Sequence, residues 1–297
     1  MSEKGVGQVE TLLDIDAAEV FYDGLLTDPR LDHPEGLAVH RDGSIWCGGE
    51  RGQIYRIEPD GSSMEQIASS DGFSQGMAFD AEDNLYVCDL VHAGVMKLDT
   101  KSGTLERFAT GAEGRGINIA NYPVFDAEGS LYVSDSHAFK EPGPGIFRFN
   151  PDGSGELWYD EPVDFANGLA FSPDGLHLYV AETFGNAVFR IPIEDDGSPG
   201  TREEVASLPG VLPDGLAFDT AGNLYVACYE PSQVLRISPE GNVERLIGDE
   251  EAHLFCHPTN LAFRGSTLFT TNLGRWHITA IETVAEGLPL YGGYGNE

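Results

Sequence analysis

ANGLAFSPDGLHLYVAET runs from Ala166 to Thr183, and PDGLAFDTAGNLYVACY runs from Pro213 to Tyr229. Both stretches hold the same parts in the same order. A polar residue and a glycine open a short apolar run. A turn rich in Asp, Gly and Asn follows, and then an aliphatic-Tyr-aliphatic strand. Gly, Asp and Asn supply the positive φ that a tight hairpin turn needs. The opening recurs six times, at Glu35 (EGLAV), Gln75 (QGMAF), Asn121 (NYPVF), Asn167 (NGLAF), Asp214 (DGLAF) and Thr259 (TNLAF). Successive openings lie 40, 46, 46, 47 and 45 residues apart. That is the period of a four-stranded propeller blade.

The rest of each unit agrees with a blade. Second strands read Ile45-Trp46-Cys47, Leu85-Tyr86-Val87, Leu131-Tyr132-Val133, Leu178-Tyr179-Val180 and Leu224-Tyr225-Val226. Third strands carry one basic residue each, as in IYRI from Ile54, VMKL from Val95, IFRF from Ile146, VFRI from Val188 and VLRI from Val234. Fourth strands are more polar, as in Leu105-Glu106-Arg107-Phe108. Strands covered on both faces read as continuous apolar runs, and strands at the rim alternate. The sixth unit has no clear fourth strand, but Ala18 to Tyr22 (AEVFY) precedes the first unit and has strand character. The expected fold is therefore all-β: one six-bladed β-propeller of four-stranded antiparallel blades over residues 1–297, closed by that N-terminal outer strand. Closure hides both edges from aggregation. A two-sheet sandwich does not repeat its sequence in this way.

The 297 residues include 49 acidic and 17 basic ones, for a formal charge of -32. Only Lys4, Lys97, Lys101 and Lys140 are lysines. Such a surface repels itself in dilute buffer. Molar salt shortens the screening length to about 3 Å and relieves the repulsion, so a halophilic cytoplasm is the expected setting. Nucleic acid and anionic membranes are excluded as partners by the missing basic patch. No apolar run approaches the roughly 20 residues of a membrane span. The N-terminus shows no basic region followed by an apolar run, so no signal peptide is expected. Cys47, Cys88, Cys228 and Cys256 show no CxxC spacing. Three of them fall on predicted inner strands, as buried free thiols in a reducing cytoplasm would.

In a propeller the start of each innermost strand points into the mouth of the central channel. The six opening residues, Glu35, Gln75, Asn121, Asn167, Asp214 and Thr259, then form a ring in which every member carries oxygen. Hard cations such as Ca²⁺ take six to eight oxygen ligands. Glu35, Asn121, Asn167 and Asp214 supply four, with two negative charges, and leave room for water and a substrate. No His or Cys stands in the column, which disfavours a zinc-type site. One divalent cation is expected, Ca²⁺ first, with Mg²⁺, Mn²⁺ and Zn²⁺ open.

PEGLAV at Pro34, ANYPVFDAEGSLYVSD at Ala120, ANGLAFSPDGLHLYVAET at Ala166 and PDGLAFDTAGNLYVACY at Pro213 resemble the senescence marker protein (regucalcin), gluconolactonase and luciferin-regenerating enzyme-like family. The resemblance covers nearly the whole chain. It implies a divalent cation on Glu35, Asn167 and Asp214, with Asn121 touching metal or substrate, and hydrolysis of a sugar lactone. Regucalcin-related members often carry an Arg two residues before the blade-three Asn; here Ile119 stands there. Arg115 and Asn118 lie nearby as substitutes, and Asn118 matches other gluconolactonase-like members.

Lactone hydrolysis needs a polarised carbonyl, an activated water and a stabilised oxyanion. Asp214 is the candidate general base, with a role as ligand only kept beside it. His257, in CHPTN before the sixth opening, is a candidate substrate contact, together with Asn118, Asn121 and Arg115. Tyr229, Glu182, His137 and Asn272 are weaker candidates, expected near the opposite reach of the channel or on its wall. No GxSxG elbow, Ser-His-Asp order, GxGxxG or Walker pattern occurs. Beside a lactonase (a hydrolase of carboxylic esters) stand a metal-dependent esterase or phosphotriesterase-like hydrolase and a non-enzymatic metal-containing binding propeller. The expected partner is a small molecule; a monomer and a small homo-oligomer both stay open.

Overall fold

A computed structural model describes residues 11–290. Residues 1–10 and 291–297, which the expectation of one unit over 1–297 includes, lie outside the described residues, as does the start of the stretch read for a signal peptide. Six antiparallel four-stranded sheets follow one another along the chain as the blades of a six-bladed β-propeller. Blade one is Leu37–Val39, Ile45–Gly48, Gln53–Ile57 and Met64–Ser69. The inner strands of blades two to six are Ser74–Phe79, Ala120–Phe125, Ala166–Phe171, Leu212–Phe218 and Pro258–Arg264. A short hairpin, Gly111–Ala112 against Arg115–Gly116, precedes blade three and was not foreseen. No described helix is long and apolar enough to cross a membrane.

The ring closes as the sequence suggests. Ala18–Asp23 pairs antiparallel with His277–Glu282 and completes blade six as its outer strand. The segment just before it clasps blade five, where Leu12 N–H donates to the Arg245 carbonyl at 2.9 Å and Leu13 N–H to that of Leu246 at 2.8 Å. One stretch of chain thus fastens two outer edges.

The core consists of apolar layers between neighbouring blades. The aromatic residue of each second strand meets the last Phe of the next blade's inner strand edge to face. Trp46 meets Phe79 at 5.7 Å, Tyr86 meets Phe125 at 5.1 Å, and Tyr132 meets Phe171 at 5.1 Å. Tyr179 meets Phe218 at 4.9 Å and Tyr225 meets Phe263 at 5.0 Å. Each such joint adds about 0.5–1.5 kcal/mol beyond area burial. Blade one ends its inner strand in Val39, so the sixth joint differs: Phe269 packs instead on Phe21 of the closing strand at 5.0 Å.

The basic column of the third strands has a structural use. Trp46, Tyr86, Tyr132, Tyr179 and Tyr225 stand directly across from Arg56, Lys97, Arg148, Arg190 and Arg236. Those five in turn face Glu65, Glu106, Glu156, Glu203 and Glu244 on the fourth strands. Lys97 Nζ lies 5.2 Å from the Tyr86 centroid and the Arg148 guanidinium 5.6 Å from that of Tyr132, while Arg190 meets Glu203 at 2.8 Å. Cross-strand pairs of this kind contribute about 0.2–1 kcal/mol each. Cys47, Cys88 and Cys228 lie buried and free on second strands, where burial pushes their thiols up.

Near the axis the inner strands touch backbone to backbone. A Cβ on Gly36 would sit 1.9 Å from the Gln75 carbonyl oxygen, and one on Gly168 would sit 2.2 Å from that of Asp214. The glycine after the ring residue is therefore a condition of convergence. We expect Gly168→Ala to lower stability by about 3 kcal/mol or more, because a backbone oxygen cannot yield as a side chain can. Gly103→Ala, at φ +73° with nothing within 4 Å, should cost only about 1 kcal/mol of left-handed strain. Thermal melts of the two variants decide it; equal shifts would remove the close-approach argument.

Candidate metal centre

Glu35 stands two residues before its inner strand, and Gln75, Asn121, Asn167, Asp214 and Thr259 stand within theirs. All six are buried, none more than 7% exposed. Five present a buried side-chain oxygen with no hydrogen-bond partner: Glu35 Oε2, Gln75 Oε1, Asn121 Oδ1, Asn167 Oδ1 and Asp214 Oδ1. An unsatisfied buried polar group costs about 1–3 kcal/mol. Five such oxygens in one column are explained if they share a ligand, and they fit a hard cation. Thr259 departs from the ring, because its hydroxyl donates to the Glu35 carbonyl at 2.8 Å.

The amides are held with their oxygens left over. Asn121 Nδ2 donates to Ser136 Oγ at 3.0 Å, and Ser136 Oγ donates to the Ala166 carbonyl at 2.7 Å. Asn167 Nδ2 donates to Thr183 Oγ1 at 3.2 Å, and Thr183 Oγ1 donates to the Pro213 carbonyl at 2.8 Å. Thr271 Oγ1 donates to the Glu35 carbonyl at 2.6 Å. These hydroxyls orient one blade's ring residue and grip the backbone of the next. Sequence reading missed them. The only signal was a hydroxyl directly after an acidic residue, Ser136 after Asp135 and Thr183 after Glu182, one residue beyond the second strand.

Electrostatics also call for a cation. Burial raises the Glu35 carboxyl well above its usual value, and the Asp214 charge raises it further. Burial raises Asp214 too, partly countered by the Asn167 side chain. No group of three or more His, Cys, Asp or Glu suited to a metal occurs among the described residues. Amide oxygens therefore complete the set, as the chemistry of oxygen-loving cations allows.

The rim above the ring corrects one expectation. Tyr229, Glu182, His137 and Asn272 do not lie at the opposite reach of the channel. Second strands run antiparallel to inner strands, so their ends return to the same mouth, with Ala166 across from Glu182 and Pro258 across from Asn272. Two of the four are structural. Glu182 accepts the Asp164 N–H at 2.9 Å. Asn272, wholly buried, accepts the Cys256 N–H at 3.0 Å and donates to Thr279 Oγ1 at 2.9 Å. Asp135, not singled out from the sequence, accepts the N–H groups of Asn118, Ile119 and His137 at 2.8–3.0 Å.

The substrate candidates fall around this mouth. Asn118 is exposed, and its Nδ2 lies 3.0 Å from His137 Nδ1. Arg115 is exposed on the short hairpin. His257 Nδ1 lies 3.0 Å from the Tyr229 carbonyl. A carbonyl only accepts, so Nδ1 donates, which leaves Nε2 of the neutral ring as an acceptor. A cavity of about 1020 Å³ opens at the other end of the inner strands, lined by Phe79, Phe125, Phe171, Phe218 and Phe263. None of the ring oxygens lines it, so chemistry and not size selects the site.

A family model described as SMP-30/Gluconolactonase/LRE-like region matches residues 34–273. The chain belongs to this family. Among its relatives, the 6-deoxy-6-sulfogluconolactonase of Pseudomonas putida is 28% identical over 229 residues, which cover 76% of each chain. Lactonase drp35 of Staphylococcus aureus strain MW2 is 27% identical over 245 residues, 75% of this chain and 74% of that one. A gluconolactonase structure from Xanthomonas campestris superposes with a TM-score of 0.76 at 21% identity, over 90% of this chain and 89% of that one. The calcium-binding protein regucalcin from Agrobacterium tumefaciens does so with 0.71 at 20% identity, over 88% and 96%. Likeness at that identity shows the propeller fold.

Two raised carboxyls set a pH dependence. Their cost is absent below the usual carboxylate range and grows as pH rises through their folded-state values. Cation-free protein should therefore melt lower at pH 8 than at pH 5, and Glu35→Gln should raise the pH 8 melting temperature by about 2 °C or more, near 1 kcal/mol. Calorimetry in chelator checks both; a lower melting temperature for Glu35→Gln would contradict the repulsion between Glu35 and Asp214.

Proposed function

We propose that the chain is a divalent-metal-dependent hydrolase that opens a sugar lactone to its aldonic acid. The five partnerless oxygens at one mouth of the channel carry this reading. Two relatives named as lactonases, each covering three quarters of this chain, support the ester chemistry. Calcium is the favoured cation, since the donors are all oxygen and the regucalcin relative is described as calcium-binding.

Glu35, Asn121, Asn167 and Asp214 would hold the cation, and Gln75 Oε1 joins them as a fifth oxygen on the evidence of its missing partner. A cation so held supplies Lewis acidity toward the lactone carbonyl. Ser136 and Thr183 fix the amides, so the donor set needs no reorganisation when substrate arrives. Asp214 takes the proton of the attacking water in this reading, and burial favours a carboxyl that accepts one. Asn118, Asn121, Arg115 and His257 form the substrate wall.

A panel of aldonolactones assayed with Ca²⁺, Mg²⁺, Mn²⁺ or Zn²⁺ in molar KCl tests the activity. Turnover should vanish in chelator and return with one of the cations; turnover indifferent to chelation would reject the metal mechanism, and no turnover of any lactone would favour a binding propeller. Asp214→Asn should lower kcat by about 10²-fold or more. Cation titration of the same variant separates the roles: retained cation affinity with lost turnover marks a base, and joint loss marks a ligand.

A further inference from the structure

The repeat places Tyr229 at a position of known use. One residue beyond the second strand's aligned core, blade three has Ser136 and blade four has Thr183, whose hydroxyls bind the Nδ2 groups of Asn121 and Asn167. The matching residue of blade five is Tyr229, and the ring residue it faces is Asp214. Pairing agrees, since Pro213 stands across from Cys228 and Leu212 from Glu230. A carboxylate has no N–H to give, so the tie made in blades three and four has no counterpart here. The Tyr229 hydroxyl accordingly has no hydrogen-bond partner among the described residues. Three other buried or half-buried tyrosines are engaged: Tyr55 with the Arg30 carbonyl, Tyr159 with Glu161 and Tyr225 with Asp219.

The ring of Tyr229 is braced. It stacks on the His257 imidazole with centroids 4.5 Å apart and planes at 20°. His257 Nδ1 is fixed on the Tyr229 carbonyl and lies 3.4 Å from Glu230 Oε1. The phenol is thus held at the mouth on the strand that pairs with the Asp214 strand, with a free O–H. A tyrosine phenol, with an ordinary pKa of about 10, is protonated at neutral pH and so donates.

We infer that Tyr229 is a catalytic residue that donates a hydrogen bond to the ring oxygen of the lactone, the atom that leaves as an alkoxide. This rests on the lactonase reading above. When the tetrahedral adduct collapses, the acyl C–O bond of the ring breaks and its electron pair stays on that oxygen. The phenol's hydrogen bond stabilises the charge there. Solvent then protonates the alkoxide, and the phenol ends the cycle unchanged. A donor aimed at developing charge contributes about 10²–10³-fold.

Tyr229→Phe keeps the ring on His257 and removes only the donor. With a sugar δ-lactone at saturating cation, kcat should fall about 100-fold with KM within about twofold, and the melting temperature and cation affinity should match the parent. A kcat within about threefold of the parent overturns the role. A fall in kcat accompanied by weakened cation binding also overturns it, since the phenol would then act on Asp214 and not on substrate. A parent enzyme inert toward every lactone overturns the activity reading and this role together, whereas an active parent with an unchanged Tyr229→Phe overturns Tyr229 alone.

Discussion

Backbone contact between inner strands at the axis is the constraint on which this molecule depends. Gly36 and Gly168 let one strand lie against the carbonyl of the next blade's ring residue, at a distance no Cβ permits. Because the strands converge there, six side chains from six blades reach one small volume. Blades three and six replace that glycine with Tyr122 and Asn260, both buried. The ring is thus regular enough to close, and irregular where larger groups enter the channel.

Closure in turn carries a cost at its centre. Convergence buries two carboxylates and three amides and denies their oxygens partners. Protein chains rarely tolerate this, because each such group loses its hydration without compensation. The rest of the architecture offsets it. Five edge-to-face aromatic joints bind blade to blade, and five cross-strand rows of aromatic, basic and acidic residues line the strands. The same rows occupy five of the 17 basic residues and an equal number of glutamates, so the net charge of -32 is carried by the remaining residues.

The fold was legible because its cause is local and repeated. Each unit states its own strands, through aliphatic-Tyr-aliphatic cores such as Leu178-Tyr179-Val180 and turns such as SPDGLH. Even the closing strand at Ala18 showed itself by the sixth unit's missing edge. The ring column was legible for the same reason, since aligned units expose the position at which they differ. The hydroxyls of Ser136, Thr183 and Thr271 were not legible. Ser and Thr near a strand end have many uses, and only the neighbouring blade's carbonyl defines theirs. Glu182 and Asn272 misled in the other direction: their polarity serves main-chain N–H groups of the mouth loops, and antiparallel pairing returns them to the mouth and not to the opposite reach.

By itself the sequence determined six blades, the strand that closes them and the column of oxygen-bearing residues that opens each one. These follow from periodicity and side-chain type, which act over a few residues. Tertiary structure alone decided which oxygens are left without partners, that Thr259 leaves the ring, and that the Tyr229 hydroxyl stays free. Those outcomes turn on hydrogen bonds between residues as far apart as Glu35 and Thr271, and only the closed circle of blades brings such residues within reach.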